Sequence, residues 1–380
     1  MPDRHVAVIG ASTAGLFAAY LLAQSGIPVA VYDQGETLGP PARTLIVTSQ
    51  ISQVLGFVPT AAIVNRIQHI ELLSRKASAR VSLQQPDLVL EREKLIHLLA
   101  AQARQTGAEI KLGYSFLGLQ RDGDGLVLRL HNRQSDQVEH VKTRFLIGAD
   151  GVCSDVARAA QMAGRGSVAI LQARVALPPG AAAETVQVWL APQDTRFFYW
   201  LIPESEQRAA VGLIADDRQE ASERLQCFLQ EHRLEASEYQ AAQVARQQFG
   251  TRPWRSIGGA DVLLIGDAAG QVKMTTVGGV VTGLRGARAA ARAIVQGTAY
   301  GKELRALHRE LNLHWLIRSV LSHLADADYD RLLDLLNSRA QGILETYSRD
   351  EMAQALWGLL LAQPRWLLLG ARSFLRSRQL

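Results

Sequence analysis

The sequence contains little cysteine, and this scarcity excludes several kinds of chemistry. Cys153 and Cys227 are the only two cysteines among 380 residues, and they stand far apart along the chain. Neither belongs to a C-x-x-C pair, and the histidines do not cluster, so no zinc site or iron–sulfur cluster is expected. A framework of disulfides is excluded for the same reason. We therefore expect chemistry that depends on neither metal ions nor thiols.

Membrane-spanning, export and nucleic-acid signals are also scarce. No apolar run reaches the roughly 18 residues that a spanning helix needs. The first strand pattern begins at His5, which leaves no room for a charged and then apolar leader, so a cytoplasmic protein is expected. The net charge is +5, but the arginines are spread along the chain without a basic stripe. We therefore expect no nucleic-acid partner.

What the chain does contain begins with a strand, a glycine turn, a helix and a second strand. His5–Ile9 predicts the first strand, Leu16–Gln24 the helix and Pro28–Tyr32 the second strand. With 48% hydrophobic and 20% charged residues, the composition is that of an ordinary globular protein. This order of elements predicts a right-handed βαβ unit.

The turn inside this unit has the spacing of a dinucleotide-binding fingerprint. Gly10–Gly15 follows the pattern G-x-G-x-x-G, with Ser12 in place of the middle glycine. Backbone amides at such a turn, together with the positive end of the helix, can face a pyrophosphate. Asp33 closes the second strand, where an acidic side chain can accept hydrogen bonds from a ribose. The candidate dinucleotide-binding residues are Gly10, Ser12, Thr13, Ala14, Gly15 and Asp33.

Two later turns distinguish between the dinucleotides that this fingerprint can bind. Asp150-Gly151 and Gly266-Asp267 each follow a buried strand pattern, and Gly278-Gly279 precedes a helix rich in alanine and glycine. An aspartate just past a strand can bond the ribityl hydroxyls of a flavin. Free amides at a helix N-terminus can stabilise negative charge on a reduced flavin ring. Together the turns favour FAD over NAD as the bound cofactor.

The three segments, in this order and at these separations, resemble the flavoprotein superfamily of aromatic hydroxylases, halogenases and geranylgeranyl reductases. The resemblance covers about residues 5 to 300. Gly266–Gly279 is most similar to the geranylgeranyl reductase branch, although Met274 stands where proline is usual. It implies FAD contacts from Arg43 and Arg92, and places Asp150 and Gly151 near the flavin. It also implies that Gly266 and Asp267 bind the ribityl or pyrophosphate region and that Gly278, Gly279 and Val280 lie beside the isoalloxazine.

The expected fold is an α/β fold: a Rossmann-like FAD-binding domain, an inserted and mainly antiparallel β-sheet substrate domain, and a helical C-terminal region. Four strand-like runs without intervening helices, between about residues 167 and 216, predict the inserted sheet. The expected boundaries are 1–45, 90–165 and 250–298 for the FAD-binding domain, 46–89 and 166–249 for the substrate domain, and 299–380 for the helical region.

The candidate substrate side is an aromatic strand. Phe198, Trp200 and Ile202 alternate along Phe198–Pro203, so they should point to one face and form an apolar wall opposite the flavin. Packing of the protein core would use the same pattern. Geranylgeranyl reductases carry a Y-x-W-x-F-P signature at this place and flavin halogenases carry W-x-W-x-I-P, whereas this chain reads F-x-W-x-I-P. An apolar small molecule or lipid is the expected substrate, with Pro203 at the end of the wall.

The C-terminal stretch from Trp357 to Leu380 is rich in leucine, tryptophan and arginine. It includes Arg365, Arg372, Arg376 and Arg378, and no acidic residue follows Glu351. A helix of this composition gains at a membrane surface both from apolar burial and from anionic headgroups. A helix that docks on the main body has a similar pattern. Peripheral contact with the cytoplasmic membrane face and docking on the protein are therefore both expectations.

Two enzyme activities are compatible with these features, and a flavin-binding protein without turnover or an electron carrier to quinone is a third class. One is reduction of a carbon–carbon double bond in an isoprenoid or lipid-like substrate by hydride from reduced flavin. The other is a flavin-dependent monooxygenase or halogenase that acts on an aromatic or polyketide-like substrate. A halogenase would need a buried lysine facing the flavin, for which Lys76 and Lys94 are the candidates. Lys94 lies in a charged helix start, where solvent exposure is the expected state. The chain has no second G-x-G-x-x-G turn, so the expected electron donors are NAD(P)H bound transiently or a redox partner protein.

Overall fold

The chain folds around three β-sheets with a helical C-terminal region. The structure is a computed structural model that describes residues 5–39, 43–162, 164, 166–367 and 369–370. Its strands are β1 Val6–Ile9, β2 Val29–Asp33, β3 Thr44–Val47, β4 Ile63–Leu73, β5 Ser78–Glu91, β6 Glu109–Leu112, β7 Tyr114–Asp122, β8 Gly125–Asn132, β9 Gln137–Thr143, β10 Phe145–Gly148, β11 Ser167–Ala176, β12 Thr185–Trp189, β13 Tyr199–Pro203, β14 Arg208–Ala215, β15 Glu238–Ala245, β16 Trp254–Ile257 and β17 Ala260–Leu264.

The helices precede, separate and follow these strands. They are α1 Thr13–Gln24, α2 Gln50–Leu55, α3 Arg92–Gln105, α4 Asp155–Ala159, α5 Arg218–Glu231, α6 Val280–Gln296, α7 Tyr300–Glu303, α8 Arg305–Leu321, α9 Asp326–Asp334, α10 Ser338–Thr346 and α11 Met352–Ala362. Two short 3-10 helices cover Thr60–Ala62 and Gly266–Ala269.

The first sheet has six strands in the order β16-β17-β10-β1-β2-β6. All pairs are parallel except β16 with β17. Buried side chains from α1, α3 and α6 pack with one face, and those of the three-stranded sheet β7-β8-β9 pack with the other. A parallel sheet covered on both faces explains why β1, β2 and β10 are almost continuously apolar. The carboxyl ends of β1, β10 and β17 lie at the same edge, which therefore collects the turns that follow them.

The second sheet has eight strands in the order β15-β11-β14-β13-β12-β4-β5-β3. Its pairs are antiparallel except for β12 with β4. Helix α5 packs on one face, and apolar residues of the segment 272–277 pack on the other. The predicted fold class is therefore confirmed: a Rossmann-like parallel sheet, a larger and mainly antiparallel sheet inserted into it, and C-terminal helices. The predicted domain boundaries stay a prediction.

The C-terminal helices are attached to the eight-stranded sheet by polar contacts. Ser74 after β4 donates to Asp330 of α9 at 2.6 Å. The side chain of Gln341 in α10 donates to the carbonyl of Arg80 in β5 at 2.8 Å. Among the described residues, no helix is long and apolar enough to cross a membrane. The docking of α9 and α10 brings the connection between α10 and α11 to the same side of the molecule as β3 and β5.

Candidate functional site

Three turns meet at the carboxyl edge of the six-stranded sheet. Gly10, after β1, approaches the backbone after β10 so closely that a Cβ there would lie 2.5 Å from the Ala149 oxygen and 2.9 Å from the Asp150 nitrogen. A Cβ on Gly266, after β17, would lie 3.3 Å from the Cβ of Ala14. The strands place their turns side by side, and glycine permits the close approach. The structure therefore brings the predicted residues Gly10, Ala14 and Gly266 together. Asp150, in the turn after β10, lies beside Gly10.

The first of these turns is held by two side chains. Ser12 caps α1, because its hydroxyl accepts from the Gly15 nitrogen at 3.2 Å. The Asp33 carboxylate accepts from the Ala11 nitrogen at 2.6 Å and from the Gly35 nitrogen at 2.8 Å. An ionised carboxylate has about four acceptor positions, so Asp33 can fix the turn and still accept from a ribose hydroxyl. Thr13 and Ala14 begin α1, whose positive end faces the same edge.

Two arginines and one aspartate, each partly buried, form a charged group beside these turns. The Arg92 nitrogen donates to the Arg43 carbonyl at 3.0 Å, where β3 lies along β5. Burial and the neighbouring Arg92 lower the pKa of Arg43 to about 10, and Asp267 opposes the change. Burial also lowers the pKa of Arg92 and raises the pKa of Asp267, which the two arginines oppose. One positive charge thus remains without a balancing carboxylate within this group.

One hydrogen-bond donor of this charged group has no acceptor among the described residues. Arg43 Nε is buried and has no hydrogen-bond partner among the described residues. A buried donor and a buried positive charge are both costly unless a partner satisfies them. A pyrophosphate would supply that partner, because guanidinium groups bind phosphate oxygens strongly. The residues present therefore fit the anionic part of FAD.

Asp150 and Gly151 shape the turn after β10. Asp150 accepts from the Ser154 hydroxyl at 2.7 Å and from the Val156 nitrogen at 3.1 Å. Burial raises the pKa of Asp150, and these two bonds oppose the change. Gly151 has a φ of +81°, a left-handed conformation that favours glycine. The Asp150 carboxylate is thus bonded within its own turn at the start of α4, and its contact with the flavin or with a nicotinamide stays a prediction.

The glycine pair before α6 provides the third part of the site. Gly279 precedes Val280, the first residue of α6, and the described residues provide no side-chain cap there. The first turn of α6 contains no acidic residue. A Cβ on Gly279 would lie 3.1 Å from the Asp267 carboxylate, so the missing side chain keeps the space beside Asp267 open. The positive helix end suits a ring that becomes negatively charged on reduction.

One buried lysine in this region was missed by the sequence interpretation. The Lys273 ammonium lies 2.6 Å from the Asp350 carboxylate, and the two side chains are 7% and 0% exposed. Of the two candidates from the sequence, Lys76 is wrong for a buried lysine, and Lys94 is exposed, as its place in a charged helix start indicated. Both are exposed, and Lys94 pairs with Glu91 at 2.9 Å at the start of α3. Lys273 is the only charged residue between Gly270 and Gly278, and this is the signal by which the sequence could have indicated it.

The aromatic strand β13 faces the segment that contains Lys273. Phe198, Trp200 and Ile202 share an apolar cluster with Val272, Met274 and Val277. Tyr199 and Leu201 pack into the cluster on the opposite face, so the predicted alternation is present. Trp200 Nε1 is buried without a partner among the described residues. Pro203 ends β13, and its carbonyl accepts from Asn65 at 2.9 Å. Contact of these residues with substrate stays a prediction.

Comparison with known protein families agrees with this geometry. The sequence model of the FAD binding domain family matches residues 3–312. The chain belongs to this family. The matched segment contains every residue that the sequence predicts to contact the cofactor. The protein is thus an FAD-dependent oxidoreductase. Contact of FAD with the residues where the three turns meet stays a prediction.

Relatives of this flavoprotein include reductases of archaeal lipids. It is 26% identical over 372 residues to the digeranylgeranylglycerophospholipid reductase of Methanocaldococcus jannaschii, covering 89% of this chain and 92% of that protein. A second such reductase, from Methanothermobacter thermautotrophicus, is 28% identical over 370 residues, covering 88% and 92%.

Solved structures show the same fold. A geranylgeranyl bacteriochlorophyll reductase-like protein from Thermoplasma acidophilum superimposes with a TM-score of 0.81 at 19% identity, covering 95% of this chain and 96% of that one. The flavin-dependent halogenase CmlS gives a TM-score of 0.67 at 18% identity, covering 97% and 78%. At these identities the two structures support the fold and do not distinguish the activities.

Helix α8 of the flavoprotein holds the segment 272–277 in place. The buried Arg318 donates to the carbonyls of Met274 at 3.1 Å and Thr275 at 2.7 Å, and to that of Arg196 at 2.9 Å. His314, which is fully buried, contacts the Thr275 hydroxyl at 2.6 Å. Three carbonyls from two segments thus share one guanidinium. The segment that leads into the glycine pair is therefore held by the C-terminal region as well as by its own backbone bonds.

Proposed function

We propose that this flavoprotein reduces carbon–carbon double bonds of an isoprenoid or lipid-like substrate. The observation that carries the proposal is the apolar cluster of Trp200 and Ile202 with Met274 and Val277, which adjoins the glycine pair. An apolar surface there would receive a hydrocarbon chain and exclude water. The names of the archaeal relatives, at about one quarter identity, support the same substrate class.

Different residues of the chain would bind different parts of the cofactor. Arg43, Arg92 and the turn at Gly10 would bind the pyrophosphate, and Asp33 and Asp267 would bind the hydroxyls of ribose and ribityl. Gly278 and Gly279 would leave space for the ring. Reduced FAD would supply hydride from its N5 atom. NAD(P)H bound transiently, or a redox partner protein, would supply the electrons.

A second candidate is a flavin-dependent monooxygenase or halogenase, and one observation favours it. Lys273 is a buried lysine within the site region, and a halogenase requires such a residue. Its ammonium is paired with Asp350 at 2.6 Å rather than free. We therefore place this activity second.

Anaerobic photoreduction of the purified protein would separate the two activities. The reduced protein is mixed either with a polyprenyl alkene or with oxygen, and reoxidation of the flavin is followed by absorbance. We expect fast reoxidation by the alkene and slow reoxidation by oxygen. Fast reaction with oxygen, together with none with the alkene, would contradict the reductase proposal and favour the second candidate.

A pair of tryptophan variants tests the position of the substrate. Trp200→Ala removes the ring that faces the segment 272–277, whereas Trp189→Ala removes one that packs against Phe228 of α5. We expect the first variant to raise KM for the polyprenyl alkene at least tenfold and the second to leave it within about threefold. Equal effects of the two variants on KM would place the substrate elsewhere.

We also propose peripheral contact of the C-terminal helices with the cytoplasmic membrane face. Trp357 and Leu361, one helical turn apart on α11, are each 72% exposed, and Leu367 is 56% exposed. Arg365 is exposed beside them. The arginines at 372, 376 and 378 lie outside the described residues. Together the apolar side chains and the arginines suit an interface with anionic headgroups.

Vesicle binding tests this contact. A variant carrying Trp357→Ser and Leu361→Ser should bind vesicles that contain anionic lipid at least tenfold more weakly than the parent protein. Leu117→Ser is the control, because Leu117 is 49% exposed on β7, away from this helix. Unchanged binding of the double variant would contradict the contact.

A further inference from the structure

A row of charged side chains crosses the glycine pair before α6. Arg43 and Arg92 flank Asp267 at one end of the row. Asp267 reaches the position that a Cβ of Gly279 would occupy, at 3.1 Å. At the other end, the atoms nearest to the missing Cβ of Gly278 are Thr276 Oγ1 at 3.3 Å, Lys273 Cε at 3.4 Å and Lys273 Nζ at 3.9 Å. The ammonium of Lys273 thus stands closer to the glycine pair than the carboxylate of Asp350 does.

The Lys273–Asp350 pair is built from three distant parts of the chain. The backbone nitrogen of Lys273 donates to the Gly278 carbonyl at 3.1 Å, which fixes the lysine beside the glycine pair. Asp350 lies between α10 and α11, and its second oxygen accepts from the hydroxyl of Thr48, which follows β3. Burial opposes ionisation of Asp350, but Lys273, Thr48 and Arg349 together hold its pKa below the ordinary value.

Such a pair is a poor device for stability alone. Removing two charges from water costs several kcal/mol per ion, and an apolar pair of similar volume is often as stable. Buried, charge-coupled groups that lie in a binding region are more often functional than groups elsewhere. Arg318 and His314 already hold the same segment with hydrogen bonds. The segment 272–277 thus does not need the Lys273–Asp350 ion pair to hold it in place. The buried charge of Lys273 therefore requires another explanation.

We propose that Lys273 sets the electrostatic potential at the flavin ring, stabilising the negative charge that the ring gains on reduction, and that Asp350 limits this effect. Lys273 is then a positioning and electrostatic residue at the ring end of the site, as Arg43 is at the pyrophosphate end. The proposal rests on the location of the ring beside Gly278 and Gly279. It does not depend on which substrate the reduced flavin meets.

The reduction potential of bound FAD tests the proposal without any substrate. It is measured by equilibration with a redox dye in the parent protein and in Lys273→Met, Lys273→Arg and Asp350→Asn. We expect Lys273→Met to lower the ratio of reduced to oxidised flavin at a fixed potential about tenfold, which is about 30 mV for a two-electron couple. Asp350→Asn should raise that ratio, and Lys273→Arg should keep it within about threefold of the parent protein.

Two further variants control for folding and for charge at a distance. The double variant Lys273→Met with Asp350→Asn carries no unpaired charge at this place, and its potential should lie between those of the two single variants. Lys302→Met removes an exposed lysine of α7 and should leave the potential unchanged. The dissociation constant of FAD, from fluorescence titration, is measured for every variant.

Opposite shifts for the lysine and aspartate variants are the expected result, because a merely structural pair would move both in the same direction. Shifts of the same sign, or no shift beyond threefold in either single variant, would overturn the proposal. Failure of the cofactor site itself has a different signature. The parent protein would then bind no FAD, whereas failure of this proposal leaves FAD bound with an unaltered potential.

Discussion

Replacing Gly10 with alanine should damage both the fold and the cofactor site. Gly10 has a φ of +105°, and its Cβ would lie 2.5 Å from the oxygen and 2.7 Å from the carbonyl carbon of Ala149. The strained backbone costs about 1–3 kcal/mol. Overpacking against a neighbour that cannot rotate away costs about 1–3 kcal/mol more. We therefore expect the free energy of unfolding to fall by about 2–6 kcal/mol.

A matched control separates the two contributions. Gly26 also has a positive φ, +72°, but no described atom lies within 4 Å of its missing Cβ. Gly26→Ala should therefore lose only about 1–2 kcal/mol for the left-handed backbone. Urea unfolding of the FAD-free proteins measures both losses, and fluorescence titration measures FAD affinity. Gly10→Ala should weaken FAD binding at least tenfold and Gly26→Ala should not. Equal losses in the two variants would refute the close approach as the reason for glycine at position 10.

Four other predictions use the same assays. Arg43→Met should weaken FAD binding about 10- to 100-fold, because a charge-assisted bond contributes about 1.5–3 kcal/mol, whereas the exposed Arg66→Met should not. Burial lowers the pKa of His314, so neutral His314 stabilises the fold above about pH 6.5. This stabilisation is lost as the pH falls, by at most about 1.4 kcal/mol per pH unit. His314→Gln should therefore make the urea midpoint depend less on pH between about pH 7.5 and 5. Trp200→Phe should cost less than about 1.5 kcal/mol, since Nε1 lacks a partner among the described residues. Tyr300→Phe should cost about 1–3 kcal/mol, because its hydroxyl donates to the Leu264 carbonyl at 2.8 Å.

The sequence was most informative where neighbouring residues form the structure. The first βαβ unit was predicted because its apolar strands and its glycine turn are contiguous, and the observed α1 begins only three residues before the predicted helix. The segment from about 40 to 90 was not assigned. It forms β3, α2, β4 and β5, and β4 and β5 together lack the clean alternation of a half-buried strand because many of their residues are only partly buried.

The periodicity of the sequence could not predict contacts between distant parts of the chain. Asp350 is 77 residues from Lys273 and 302 residues from Thr48, so no local pattern links them. The same holds for Arg318, which lies 44 residues from Met274. The sequence indicated which turns belong to the cofactor site. It did not indicate that a C-terminal helix holds the segment 272–277 beside the glycine pair.

The strand order of the six-stranded sheet also decides when the site can exist during synthesis. β1 lies between β2 and β10, and β10 in turn needs β17 as its other neighbour. The roughly 110 residues made between the end of β10 and the start of β17 take about 5–25 s at about 5–20 residues per second. During that time the nascent chain exposes the lateral edge of the apolar strand β10, which β17 later covers. Substitutions that delay the pairing of β17 with β10 should therefore reduce the yield of folded protein more than the stability of molecules already assembled.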